Sequence, residues 1–403
     1  MSNTSVVQSN DAPSARNAVR ALRSSQIREV ANAGFGNGDV LPFWFGESDR
    51  VTPRFIRDAA SEALNSGATF YTHNLGIAPL REAIARHVSA LHGQTSVDHV
   101  AVTSAGVNAL MLASQLIVEA GDRVVAVTPL WPNIVEIPKI LGADVETVSL
   151  EYGPHGWRLD LDQLLAALTP STKLLIVNSP NNPSGWVLTR DEQQTVLDHC
   201  RRHGIWILAD EVYERLYYDD VRHDACAPSF LDIASRDERV ICVNSFSKAY
   251  LMTGWRLGWL VAPAALMDDL AKLIEYNTSC APSFVQQAGI AALGDGGSTP
   301  RQLVGDLRVA RDHLVQSLQA LPGVDVTSPA GAMYLFFSMP GAGESLALCK
   351  ALVREAGLGL APGSAFGPEG EGYVRWCYAC DVARIDAGLE RLRTFLERRG
   401  LGQ

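Results

Sequence analysis

Five short, nearly continuous apolar runs punctuate the middle of the chain: Arg123–Val127, Lys173–Val177, Ile205–Ala209, Arg239–Val243 and Gly258–Val261. Strands covered on both faces read this way, because neither set of alternating side chains meets water. Between and after them the apolar spacing turns helical, over Val107–Glu119, Arg190–His203 and Ala264–Tyr276. Strands alternating with helices predict an α/β domain built on a largely parallel sheet. Ligands of such sheets gather outside the carboxyl ends of the strands. Further on, the Gly/Pro-rich stretch 294–300 predicts a loop near a domain junction, and Gln302–Ala320 one long amphipathic helix. The glycine-rich stretch 361–372 predicts a turn region ahead of a strand carrying Arg375. There is no internal repeat and no low-complexity tract.

Length and composition narrow the class. At about 150 residues per domain, 403 residues suggest two or three domains. A hydrophobic share of 47% fills a large core, and a net charge of −10 argues against a nucleic-acid or anionic-membrane partner. No apolar run approaches the roughly 18 residues of a membrane span. The first 20 residues are polar and lack the apolar core of a secretory signal, so a tail or arm is expected there. Seven scattered cysteines fit a reduced, cytoplasmic setting. Cys377 and Cys380 are spaced as a redox or metal pair, but residues three apart on a strand face opposite ways. They are expected to be core cysteines, with no metal site.

The chemistry concentrates around Lys248. The strand ending at Val243 runs into Asn244-Ser245-Phe246-Ser247-Lys248, with Arg256 eight residues on. Lysine amines form Schiff bases with carbonyl cofactors, while hydroxyls and a guanidinium suit a phosphate. Ser104-Ala105-Gly106-Val107 is a small-residue turn opening a helix, where free N–H groups face an anion. Asp210 closes a buried strand, where it is either a helix cap or the partner of a cationic ring nitrogen. Asn182 stands in Asn181-Asn182-Pro183-Ser184-Gly185, which by itself reads as a turn.

Together these residues resemble the pyridoxal 5'-phosphate-dependent aminotransferases of fold type I, class I/II, from about residue 40 onward. The resemblance implies a seven-stranded, mostly parallel sheet in a large domain of residues 48–289. It also implies a smaller, discontinuous α+β domain of residues 13–47 and 290–403, with 1–12 a tail. Ser104, Ala105, Gly106, Val107, Ser245, Ser247 and Arg256 would hold the phosphate, joined by Tyr71 from a neighbouring subunit. Trp131 would stack on the ring, Asp210 pair with its nitrogen, and Asn182 and Tyr213 reach its phenolic oxygen. Arg375, after Gly372-Tyr373-Val374, matches the arginine that binds the α-carboxylate, with Gly46 bringing a backbone N–H nearby.

The activity implied is ping-pong transfer of an amino group from an L-amino acid to a 2-oxo acid through a Schiff base on Lys248, which is nucleophile first and acid/base afterwards. A lyase, cyclase or oxidase could use the same residues, since a fold does not settle a reaction. A DNA-binding regulator is disfavoured, because the segment before the matching region is neither basic nor long enough. A homodimer is expected, with Tyr71 and the Asn277–Ser279 region completing the neighbour's site. Where some relatives place a histidine after the stacking aromatic, this chain has Ile134. Where acidic-substrate relatives carry a lysine, it has Val107. Phe43, Trp44, Leu130 and Trp131 suggest an apolar pocket wall and a neutral or aromatic substrate side chain.

Overall fold

The computed structural model describes residues 14–218, 226–339 and 343–401. The tail expected at 1–12 lies outside them. Seven strands form the main sheet: β1 (Val100–Thr103), β2 (Arg123–Thr128), β3 (Asp144–Ser149), β4 (Thr172–Asn178), β5 (Trp206–Asp210), β6 (Val240–Ser245) and β7 (Gly258–Val261). Their order is β1-β7-β6-β5-β4-β2-β3, and only β7 runs antiparallel to its neighbours. The five apolar runs are thus all strands, displaced by no more than a residue or two. β1 and β3 were not foreseen. β3 is an edge strand whose residues are mostly exposed or half-exposed, so it carries no long apolar run, and β1 is the four-residue strand at the other edge.

The strands between the edges feed two separate cores by simple alternation. Val125, Val127, Leu175, Val177, Ile207 and Ala209 enter one core, and Val124, Ala126, Leu174, Ile176 and Leu208 the other. Helices cover both faces because apolar side chains leave both faces. A third core gathers Ile27–Trp44 with residues 303–396, around a smaller sheet of β8 (Tyr334–Ser338), β9 (Ala361–Pro362) and β10 (Tyr373–Cys377).

Two helices bear on the site, α1 (Gln26–Gly34) and α2 (Gly106–Ile117). The Ser25 side chain caps α1 by accepting from the Arg28 N–H, satisfying one of the open donors of a first turn. Two expectations are corrected. The loop of 294–300 is shorter than expected, because the long helix starts at Ser298 and runs to Gln319. Asp295 accepts from Gly297 and Thr299 N–H groups, so helix geometry begins as soon as that cap is made. Cys380 lies beyond the end of β10, so strand alternation does not place it opposite Cys377; both cysteines line one cavity on the far side of the Phe43–Phe45 segment.

Candidate active site

The carboxyl ends of β4, β5 and β6 and the start of α2 open on a cavity of about 430 Å³. Its lining includes Gly106, Val107, Trp131, Asn182, Asp210, Tyr213, Ser245, Ser247, Lys248, Arg256 and Arg375, together with Gly46. With Trp44, thirteen residues singled out in the sequence therefore meet in one place. The sheet explains this. Asp210 and Ser245 end adjacent parallel strands, and β10 brings Arg375 in from the other sheet.

Lys248 follows β6 in a turn and donates from Nζ to the Gly46 carbonyl at 2.6 Å. Burial lowers its pKa to about 8, and the charges of Arg375 and Arg256 push the same way. Asp210 is almost wholly buried; desolvation raises it to about 7, against the opposing pull of the Val212 N–H and of Lys248. A carboxyl in that position is short of a cation.

Arg375 is 2% exposed and has no carboxylate partner among the described residues. Nη1 donates to Asn182 Oδ1 at 2.8 Å, and Nη2 donates to the Trp44 carbonyl. The guanidinium lies between the rings of Tyr334 and Phe366, 4.4 and 4.8 Å from their centroids, while Nε is buried without a hydrogen-bond partner. A buried cation held only by neutral acceptors and ring faces is short of an anion.

At the other end of the cavity, α2 presents first-turn N–H groups that no helical carbonyl can satisfy. Ala105, just before it, has a φ of 110°, so the turn is held in a backbone region that costs about 1–3 kcal/mol for a non-glycine residue. Gly258 lets β7 pass close behind, since a Cβ there would fall 2.7 Å from the Gly106 nitrogen. Ser245 and Ser247 are buried beside this turn, and Arg256 is exposed at its edge, donating to the Thr253 carbonyl at 2.7 Å.

The remaining expected residues are placed as follows. Ser104 and Ala105 do not line the cavity: Ser104 N–H donates to Asn108 Oδ1 at 3.2 Å, and Ala105 is buried. Phe43 and Leu130 are core residues, Phe43 packing on Trp376 at 4.7 Å. Tyr71 is 90% exposed and absent from its own chain's cavity. Asn182 meets Arg375 through Oδ1, and the Tyr213 hydroxyl shares a 2.6 Å hydrogen bond with Tyr334. Tyr334, Asn178, Ser25, Ile27, Arg28 and Phe45 also line the cavity and were not foreseen. Only Asn178, at the end of β4, carried a local sign, its place at a strand's carboxyl end.

The acids after Asp210 face elsewhere. Glu211 accepts from Ser229 Oγ and the Phe230 N–H. Glu214 and Asp232 clamp the two ring nitrogens of His92 at 2.9 and 3.0 Å. Burial pulls His92 down, but hydrogen bonds led by Asp232 outweigh it and hold the imidazole well above its usual pKa.

This fold and cavity have known counterparts. Residues 39–392 match the model of the family "Aminotransferase class I and II". An aspartate aminotransferase of Pyrococcus horikoshii is 34% identical over 383 residues, spanning 94% of this chain and 96% of that protein. Aromatic-amino-acid aminotransferase 2 of Thermococcus litoralis is 33% identical over 391 residues, covering 94% of this chain and 97% of its own length. A mutant aspartate aminotransferase from Thermus thermophilus superposes with a TM-score of 0.88 at 29% identity, over 95% of this chain and all of that one. The fold and the cavity thus define a class of enzyme that moves amino groups. The chain belongs to the class I and II aminotransferase family and is an aminotransferase.

Proposed function

We propose that the chain transfers an amino group from an L-amino acid to a 2-oxo acid in two half-reactions at this cavity, with pyridoxal 5'-phosphate as cofactor. The observation that carries the reading is Arg375, a buried cation with no carboxylate partner among the described residues, in the same cavity as a partly buried lysine. The donor set fits the cofactor at each end. Asp210 suits a protonated ring nitrogen, and Trp131 suits the ring face. Ser245, Ser247, Arg256 and the N-terminus of α2 suit a phosphate. Lys248 would hold the aldehyde carbon. When bound, the cofactor supplies that carbon and a ring able to withdraw electrons from the substrate Cα.

The chain's own residues supply the rest. Arg375 orients the substrate by its α-carboxylate, with Asn182 holding the guanidinium in place. Lys248 Nζ, lowered to about 8, holds a proton that it can release near neutral pH, so it can take the Cα proton and return it. Its hydrogen bond to the Gly46 carbonyl keeps the free amine inside the cavity. Tyr334 packs its ring against Arg375 and its hydroxyl against Tyr213, which fixes both.

The exposed Tyr71 supports a homodimer in which a neighbour's Tyr71 reaches the phosphate. The third core supports a small domain of residues 13–47 and 290–403 against a large one of 48–289. No helix among the described residues is long and apolar enough to cross a membrane, and all seven cysteines are free. Those facts support a cytoplasmic enzyme.

The test is the visible spectrum of the cofactor-loaded protein as single amino acids are added without an acceptor. Conversion of the carbonyl-linked band to that of the amine form, one equivalent per site, is the expected result. Steady release of ammonia with the band unchanged would replace transfer by elimination or oxidation.

A further inference from the structure

Away from the cavity, His92, Glu214 and Cys226 bring three metal-binding side chains together inside the protein, none of them more than 5% exposed. Their ligand atoms all lie within 4.8 Å of one another. His92 Nε2 stands 2.9 Å from Glu214 Oε2 and 3.6 Å from Cys226 Sγ. Zinc bonds of about 2.0 Å from nitrogen or oxygen and about 2.3 Å from sulfur, at tetrahedral angles, set nitrogen and oxygen about 3.3 Å apart and nitrogen and sulfur about 3.6 Å apart. The nitrogen–sulfur spacing already meets that geometry, and the carboxylate oxygen need retreat by only about 0.4 Å.

The three residues come from distant parts of the chain, and each is held from behind. His92 ends the helix Ala78–His92, and Asp232 Oδ1 engages its Nδ1 at 3.0 Å, which turns Nε2 toward Glu214 and Cys226. A carboxylate behind the imidazole is the arrangement that orients histidine ligands in metal sites. Asp232 is itself anchored, since its Oδ2 accepts from Arg190 Nη2 at 2.6 Å and from the Ser229 N–H at 3.0 Å. The Ala227 N–H donates to the Glu214 carbonyl at 2.8 Å, fixing the segment with Cys226 against the segment with Glu214. The charges also close. A carboxylate, a thiolate and a neutral imidazole cancel a divalent cation, so no uncompensated charge is buried. Binding sends two protons to solvent, one from His92 Nε2 and one from Cys226 Sγ.

We propose that His92, Glu214 and Cys226 form a structural site for a thiophilic divalent cation, zinc by its donor set, with the second oxygen of Glu214 completing four donor atoms. Nitrogen and sulfur ligands select such an ion over calcium or magnesium, which take oxygen. The ion ties the end of the helix Ala78–His92 to the segment that follows β5, four residues after Asp210. It steadies that strand end and takes no part in the chemistry, so the site stands or falls independently of the proposed function.

The test uses tag-free holoenzyme produced in zinc-supplemented medium, with metal content read by mass spectrometry and the metal's surroundings by zinc-edge X-ray absorption. The expected result is one zinc per chain, with a single sulfur at about 2.3 Å and lighter atoms at about 2.0 Å. Competition against a chromophoric chelator then compares variants. Outer partners of metal ligands are worth roughly ten- to hundredfold in affinity, so Asp232→Asn should lose about that much and Cys226→Ser more than about a hundredfold. Cys380→Ser, the thiol control, should bind as the wild type does. A wild-type protein with no zinc above background, both as isolated and after refolding with zinc, would overturn the proposal. A zinc shell without sulfur would overturn it too, and neither measurement depends on a variant folding. Equal zinc affinity in Cys226→Ser and wild type would place the ion elsewhere and have the same consequence.

Discussion

Replacing Arg375 by lysine separates orientation of the substrate from mere attraction. The guanidinium spends one N–H on Asn182 and one on the Trp44 carbonyl, and its planar fork still has N–H groups for a carboxylate. Lysine keeps the charge but offers a single point at the end of a flexible stem. It can keep one charge-assisted bond to the substrate and loses the second. A hydrogen bond to a charged group contributes about 1.5–3 kcal/mol. At about 1.4 kcal/mol per factor of ten, kcat/KM should fall roughly ten- to 150-fold. Removing the charge altogether, with Arg375→Met, should cost roughly 10²–10⁴-fold, because both bonds go. The assay is steady-state kinetics with one amino donor, paired with titration of the cofactor into stripped protein. Cofactor affinity should hardly move in Arg375→Lys, since the guanidinium belongs to the substrate end of the cavity. Kinetics within threefold of wild type would refute the argument, and so would a loss explained wholly by weaker cofactor binding.

Lys248→Ala should abolish turnover while the protein still takes up cofactor, and borohydride should then fix no cofactor to the chain; normal turnover would exclude the lysine as the proton carrier. Asp210→Asn should change how stability depends on pH in the cofactor-free protein. Burial raises Asp210 to about 7, so between its unfolded pKa and about pH 7 the folded protein binds the extra proton, and stability falls as pH rises through that window. Thermal melts from pH 4 to 8 should show a shallower decline in the asparagine variant, with the remaining slope owed partly to Glu211, which burial raises to about 8. Identical slopes would mean that Asp210 is ionised in the empty site. Gly46→Ala should destabilise by about 1–3 kcal/mol in urea melts, since the new Cβ would fall 1.9 Å from the hydroxyl of the fully buried Tyr334. It should also loosen Lys248, whose Nζ rests on the Gly46 carbonyl; an unaltered melting curve would show that Tyr334 can move aside.

Much of this was legible in the chain because its signals are local. A strand covered on both faces must be apolar throughout, and β2, β4, β5, β6 and β7 announce themselves that way. The residues that follow such strands stand at the sheet's carboxyl edge, which is why Asp210 and the segment from Ser245 to Lys248 could be singled out. β3 stayed hidden because an exposed edge imposes no such composition. The helix α2 begins at Gly106, one residue before the expected start, and the Ser104 N–H just ahead of it is taken by Asn108 Oδ1.

What the sequence alone determined is the order of elements and the mostly parallel sheet, both consequences of neighbours along the chain; it also singled out the residues proposed here as reactive. What tertiary structure decided is which distant groups share a low-dielectric space. Gly46 meets Lys248 across 202 positions, Arg375 meets Asn182 across 193, and Tyr213 meets Tyr334 across 121. Nothing in the local pattern around Arg28 or Tyr334 distinguishes them from surface or core residues. They line the site only because α1 and β8 pack where the strands end, and it is that packing, by excluding water, that leaves Arg375 and Asp210 short of partners.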